Sequence, residues 1–188
     1  MSVKAPSRAE ALDLLREFTK NENLIKHSLA VEAAMRLYAK AFAEDEELWG
    51  VVGLLHDFDY EKYPSLDDHP FKGAEILRSR GYDESFVKAI LSHANHTNVP
   101  RDTRLEKTLF AVDELCGLVT AVALVRPSKQ VADVEVKSVR KKLKDKAFAR
   151  SVNRDDILQG AEALAVSLDD HVGNVIEAMR GISAELGL

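Results

Sequence analysis

The chain has 188 residues, 46% of them hydrophobic, 30% charged and 6% aromatic, with nine Gly and five Pro. At about 100–200 residues per domain, this length favours one domain with a core large enough to need no disulfide or metal merely to fold, and the low Gly and Pro content excludes collagen-like and low-complexity chains. The formal charge of −5 makes the chain a poor general nucleic-acid binder, and Cys116, its single cysteine, excludes an internal disulfide and a Cys-rich zinc site.

Period-2 alternation is absent, and the apolar residues follow the i, i+3, i+4, i+7 rule of helices. Ser7 is placed to cap a first helix running to about Phe18. Asn21 is placed to cap a second, to about Phe42, whose inward stripe is Leu24, His27, Val31, Met35, Tyr38 and Phe42. A third spans about Glu46–His56. Pro70 suits the first turn of a fourth, with Asp68 or His69 as cap and Gly81 as stop. Asp83 is placed to cap a fifth, about Glu84–His93, and a sixth runs from about Thr103 to Val125, before Pro127. Shorter helices are expected near Val134–Lys144 and Asp155–Leu164, and a last one from about Leu168 to Glu185. The expectation is one all-α domain over residues 1–188, a compact helical bundle with its chemistry in about 20–120 and helices from about 130 to 188 packed against it.

The longest apolar run, Gly117–Val125, is broken only by Thr120 and falls far short of the roughly 20 residues a membrane helix needs. The N-terminal segment MSVKAPSRAEALDLLREF has no apolar h-region, so a cytoplasmic protein is expected, with no membrane partner. Charge is uneven: Arg126–Arg154 holds ten basic and three acidic residues. Such a segment is either a solvated helix face or a place for an anion.

Five of the six histidines lie between residues 27 and 96, in the order His27, His56-Asp57, His69, His93, His96, followed by Asp113. His27 interrupts an apolar stripe, where a histidine is either satisfied within the core or a ligand. His56-Asp57 closes the apolar run Leu48–Leu55. A helix C-terminus favours His but disfavours Asp unless a cation or donor receives it. Between Lys107 and Arg126 the only charged residues are Asp113 and Glu114, and a carboxylate buried there needs a partner such as a metal ion. His93 and His96, three apart, share a face if the helix continues; either ligates, or His96 faces a substrate. His171, far from the cluster in sequence, reads as structural. Imidazoles with carboxylates and no thiolate suit Fe, Mn, Co, Ni or Zn, with Mg also compatible. Six ligands suit two ions sharing a carboxylate, an arrangement able to activate water and clamp a phosphoryl oxygen.

The pattern His27…His56-Asp57…Asp113 resembles the H…HD…D signature of the HD-domain superfamily of metal-dependent phosphohydrolases, and the segment from His56 to Thr97 is similar to its HDIG-type subgroup. The resemblance implies an all-helical fold and a dinuclear centre. One ion would take His27, His56, Asp57 and Asp113; the other would take His69 and His93, with Asp57 bridging as the catalytic carboxylate. Asp59 stands where the subgroup has Gly. Tyr60 stands where many members have Lys, Glu or His, so a general acid does not carry over. His93-Ala94-Asn95-His96 replaces the paired HH of the cyclic-dinucleotide phosphodiesterases and no GYP follows, so that activity is not expected. The expected reaction is hydrolysis of a small phosphate ester or nucleotide, with His96, Arg126, Lys137 and Lys141 as candidate phosphate or substrate contacts and a homodimer compatible. The alternatives are a di-iron oxygenase cleaving C–C or C–P bonds, known from a small branch of the same superfamily, and a non-catalytic ligand-binding module.

Overall fold

In the computed structural model, which describes residues 3–188, every regular element is helical and there is no strand among the described residues. Helix α1 (Arg8–Phe18) starts at a capping box, Ser7 and Glu10 each satisfying the other's backbone N–H. Helix α2 (Glu22–Phe42) starts at Asn21, whose side chain accepts from the Asn23 N–H, and buries Val31, Met35 and Tyr38 of its expected stripe. Asp45 caps the short, almost wholly apolar α3 (Glu46–Leu55), in which every residue from Trp49 to Leu55 is buried. α1 and α2 both pack on α3. The buried Glu32 ties α1 to α2 by accepting from Arg8 at 2.6 Å and Arg36 at 2.9 Å. A buried carboxylate needs such partners to remain ionised.

Helix α4 (Phe71–Ser79) and α5 (Glu84–Leu91) pack on one another and are connected through Gly81. Their caps differ from expectation. Pro70 occupies the cap position of α4 and no side chain caps it; Asp68 instead accepts the Ser65 hydroxyl at 2.8 Å. Asp83 leaves the α5 N–H groups alone and accepts the Lys4 N–H at 2.6 Å, tying the N-terminal segment to this corner. α5 stops at Leu91, before His93, and a 3₁₀ turn at Asn95–Thr97 follows.

Helix α6 (Arg104–Leu124) is the central element. Thr103 and Glu106 form its capping box, most of its length is buried, and it packs against α2, α3, α5 and all the later helices of the bundle named next. These are α7 (Val136–Leu143), α8 (Arg154–Ala163) and α9 (Leu168–Gly181). The expected last helix is interrupted at Ile182 and resumes as α10 (Ser183–Leu186). His171 is structural: its Nδ1 accepts the Tyr38 hydroxyl at 2.6 Å, and its Nε2–H donates to the Ala111 carbonyl at 2.9 Å. This buried network joins α2, α6 and α9 and satisfies both ring nitrogens. No helix among the described residues is long and apolar enough to cross a membrane.

Candidate metal centre

Six side chains from five places in the chain converge beside α6. His27 projects from the first half of α2. His56 caps α3, and Asp57 follows it in a turn pinned by Phe58, whose side chain is fully buried and whose carbonyl accepts the Thr19 hydroxyl at 2.9 Å. His69 lies just before α4, His93 just after α5, and Asp113 midway along α6.

The six fall into two groups of potential ligands, His27, His56 and Asp113 in one and Asp57, His69 and His93 in the other. In the first, the Nε2 atoms of His27 and His56 lie 3.0 and 3.4 Å from Asp113 Oδ1. In the second, the Nε2 atoms of His69 and His93 lie 3.2 and 3.3 Å from Asp57 Oδ1. The other oxygen of Asp57, Oδ2, faces the first group, 3.5 Å from His56 Nε2. Asp57 therefore has one oxygen toward each group, the placement a bridging carboxylate requires.

The far sides of the rings fix which nitrogen is offered. Nδ1–H of His56 donates to the Gly53 carbonyl at 2.8 Å, and that of His93 to the Ile90 carbonyl at 2.7 Å. Nδ1–H of His69 donates to Asp59 Oδ1 at 2.8 Å. A carbonyl or carboxylate only accepts, so each of these rings presents Nε2 to the centre, as outer-shell partners of metal-bound histidines do. Asp59 is itself buried, and its Oδ2 accepts the Gly73 N–H at 2.7 Å. Gly73 is needed there, since a Cβ would lie 2.8 Å from the Asp59 carboxyl carbon. His56 Nε2 is buried and has no hydrogen-bond partner, and it is aimed between two carboxylates. That atom, with the donor set of four imidazoles and two carboxylates, fits a divalent transition metal.

The electrostatics agree. Burial opposes charge on Asp57 and Asp113, but the facing histidines outweigh it and hold both carboxyls well below the usual carboxylate range. Burial likewise opposes a charge on His56 and His69. The facing carboxylates raise His56 well above the ordinary imidazole value and His69 to about 9. Two carboxylates kept ionised in a buried cluster form a site for cations.

The centre opens into a cavity of about 600 Å³ whose wall also includes Tyr60, Asn95, His96, Glu114, Asn153 and Asp156. His96 belongs to this wall and not to either ligand group. The helix ends before it, and its Nε2–H donates to the His69 carbonyl at 2.8 Å, bracing the segment that carries His69. Tyr60 meets the His69 ring edge-to-face with centroids 5.2 Å apart. Glu114 is pushed up to about 7 by burial and by Asp113.

The expected phosphate contacts from the basic segment are elsewhere. Arg126 donates to Ser138 Oγ at 2.6 Å, Lys137 pairs with Glu135 at 2.9 Å, and Lys137 and Lys141 line a separate open groove with Arg140 and Lys144. The reason is the amphipathicity of α7: Val139 is buried against the bundle, which turns the lysines outward. Asp59, Glu114 and Asp156 are the functional candidates that sequence reasoning passed over. For Asp59 a signal existed, an acid two residues after Asp57 where the subgroup has Gly; for Asp156 there was none.

With this geometry in place, comparison with known proteins gives the class. The HD domain family matches residues 24–118, half of the chain and the stretch that carries all six ligands, and the chain belongs to that family of metal-dependent hydrolases. Among its relatives, an uncharacterized protein of Methanocaldococcus jannaschii is 38% identical over 83 residues, covering 42% of this chain and 48% of that protein. Ribonuclease Y of Nitratidesulfovibrio vulgaris is 29% identical over 114 residues, covering 60% of this chain and 22% of the enzyme. The chain thus spans about half the length of the archaeal relative and about a fifth of the nuclease. No solved structure matches the chain.

Proposed function

We propose that the protein is a metal-dependent phosphohydrolase acting on a small phosphate ester at the floor of the 600 Å³ cavity. The observation that carries this reading is the split placement of Asp57, with Oδ1 toward His69 and His93 and Oδ2 toward His56. One carboxylate shared by two ligand groups beside an open cavity suits a pair of ions. Bound there, divalent ions supply Lewis acidity and an acidified water. The chain's own contribution is positional. Asp57 and Asp113 provide charge, and the Gly53, Ile90 and Asp59 acceptors lock three rings with Nε2 inward. Tyr60, Phe110 and Val152 give the cavity wall an apolar part. A relative named as a ribonuclease supports hydrolysis at phosphorus over other chemistry.

The test is phosphate release from p-nitrophenyl phosphate and a panel of small phosphomonoesters by protein loaded with Mn²⁺, Co²⁺, Ni²⁺, Mg²⁺ or Fe²⁺. Activity is expected with at least one ion. Asp57→Asn should lower it by at least about 10²-fold while the helical circular dichroism stays unchanged, because the substitution removes charge from both ligand groups at once. A panel silent with every ion, together with O₂ uptake by the iron-loaded protein, would overturn hydrolysis in favour of oxygenation. Silence in both assays would favour a ligand-binding module.

A further inference from the structure

The cavity beside the metal centre has no cationic wall. Its lining contains neither Lys nor Arg among the described residues, and away from the six ligands it offers Glu114 and Asp156 with the amides of Asn95 and Asn153, the hydroxyls of Ser151 and Tyr60, and His96, whose Nε2–H is spent on the His69 carbonyl. This is unexpected, because the loop that brings residues 151–153 to the cavity comes from the most basic segment of the chain. Two of the loop's cations are committed elsewhere, and Arg150 is exposed and absent from the lining. The Arg154 guanidinium donates to the carbonyls of Val152 at 2.6 Å, Ala149 at 2.9 Å, Asp145 at 3.2 Å and also Phe148, which folds the loop around it. Lys142 pairs with Asp145 and lies over the Phe148 ring, 4.4 Å from its centroid.

Arg101, another cation near the wall, stands behind it. Its guanidinium stacks 3.6 Å from the Phe110 ring centroid, and Nη2–H donates to Asn95 Oδ1 at 2.9 Å. That bond orients the Asn95 amide, whose Nδ2–H donates to Asp156 Oδ1, also at 2.9 Å. The relay holds Asp156 in place and spends only one of its oxygens. Glu114 adds a second carboxyl from α6, one residue past the ligand Asp113. In either protonation state both groups keep lone-pair acceptors, and neither offsets an anion.

The geometry points to the substrate class: a phosphoester with one phosphate, whose organic part carries hydroxyl or amino donors that bind Glu114 and Asp156. The inference rests on the hydrolase reading and deepens it. One phosphate would be matched by ions held at the two ligand groups. A second or third phosphate, or the backbone of a nucleic acid, would have to lie against Asp156 and Glu114 with no side-chain cation to receive it. Glu114 and Asp156 are specificity residues here and belong to neither ligand group.

The experiment compares adenosine 5′-monophosphate with adenosine 5′-triphosphate, which share one organic part, and ribose 5-phosphate with butyl phosphate, which share one phosphate. Both pairs are measured on metal-loaded protein, with p-nitrophenyl phosphate as the common reference. Expected is a kcat/KM at least about tenfold higher for the monophosphate than the triphosphate, and about tenfold higher for the ribose ester than the butyl ester, one well-placed charged hydrogen bond being worth about a factor of ten. Asp156→Asn should shrink both ratios, and Glu114→Gln provides the same readout should the first variant fold poorly. A triphosphate turned over as well as the monophosphate, or ratios unmoved in a folded variant, would overturn the inference. If p-nitrophenyl phosphate and every other ester are inert, the hydrolase reading fails by itself. The inference is then decided by equilibrium binding of the same two pairs to metal-loaded protein: the same order of affinity supports it, and equal or reversed affinities overturn it.

Discussion

Asp59 shows how much of the centre depends on a residue that never touches the ions. It holds His69 through Nδ1 and Gly73 through its backbone N–H, so a single buried carboxylate sets both the ring's orientation and the start of α4. Asp59→Asn keeps an acceptor for one of these bonds and loses the charge that makes the ring a good ligand. It should weaken metal affinity by about 10–100-fold with little loss of helicity, the range typical of outer-shell partners. Competition with a chromophoric chelator measures this, and an unchanged affinity would remove Asp59 from the site. A second expectation concerns protons. With His69 raised to about 9 and His56 well above the ordinary imidazole value, both rings are protonated in the metal-free protein at neutral pH. A metal ligand must be deprotonated, so uptake of an ion at pH 7.5 should release protons, and apparent affinity should rise with pH until His69 has lost its proton near 9. Titration calorimetry in buffers of different ionisation enthalpy reads the release directly; heats that do not depend on the buffer would contradict it.

At the scale of elements, the helices were legible because their starts carry chemistry that acts locally. Ser7 with Glu10 and Thr103 with Glu106 specify capping boxes whatever lies around them, and the middle of the α2 stripe, Val31, Met35 and Tyr38, is buried in the fold. Expectations failed where a side chain had a competing partner far along the chain. Asp83 serves Lys4 instead of α5, and α5 ends early enough that His93 and His96 part, one to the ligands and one to the His69 carbonyl. Charge on α7 was visible in sequence, but its direction was not, because the burial of Val139 decides which way the lysines turn. The residues alone gave a list of candidate ligands, and the family resemblance implied their division between two ions; the distances set His27, His56 and Asp113 in one group and Asp57, His69 and His93 in the other. Packing between α6 and α8 is tight enough to test. Gly160 brings α8 onto α6 so closely that a Cβ would lie 2.5 Å from Ala111 Cα, a backbone atom that cannot step aside. Gly160→Ala should therefore cost about 1–3 kcal/mol in urea unfolding despite the better helix propensity of alanine. A neutral or stabilising result would show that the two helices are free to separate.

The whole molecule distributes its charge by function. Asp57, Asp113, Glu114 and Asp156 line the cavity, while Lys137, Arg140, Lys141 and Lys144 line an outer groove and Lys142 and Arg154 brace the loop behind the cavity wall. Four acids of the chain thus stand where cations are to be held, with four histidines set among them. The account stands on those six ligands acting as one centre. The most direct measurement is a crystal structure of Mn²⁺-loaded protein with anomalous scattering at the manganese edge. Anomalous peaks are expected at both groups, one among His27, His56 and Asp113 and one among Asp57, His69 and His93, with an Asp57 oxygen on each and His56 Nε2 no longer without a partner. Protein shown by elemental analysis to carry manganese, but with peaks elsewhere and these six side chains unliganded, would contradict it.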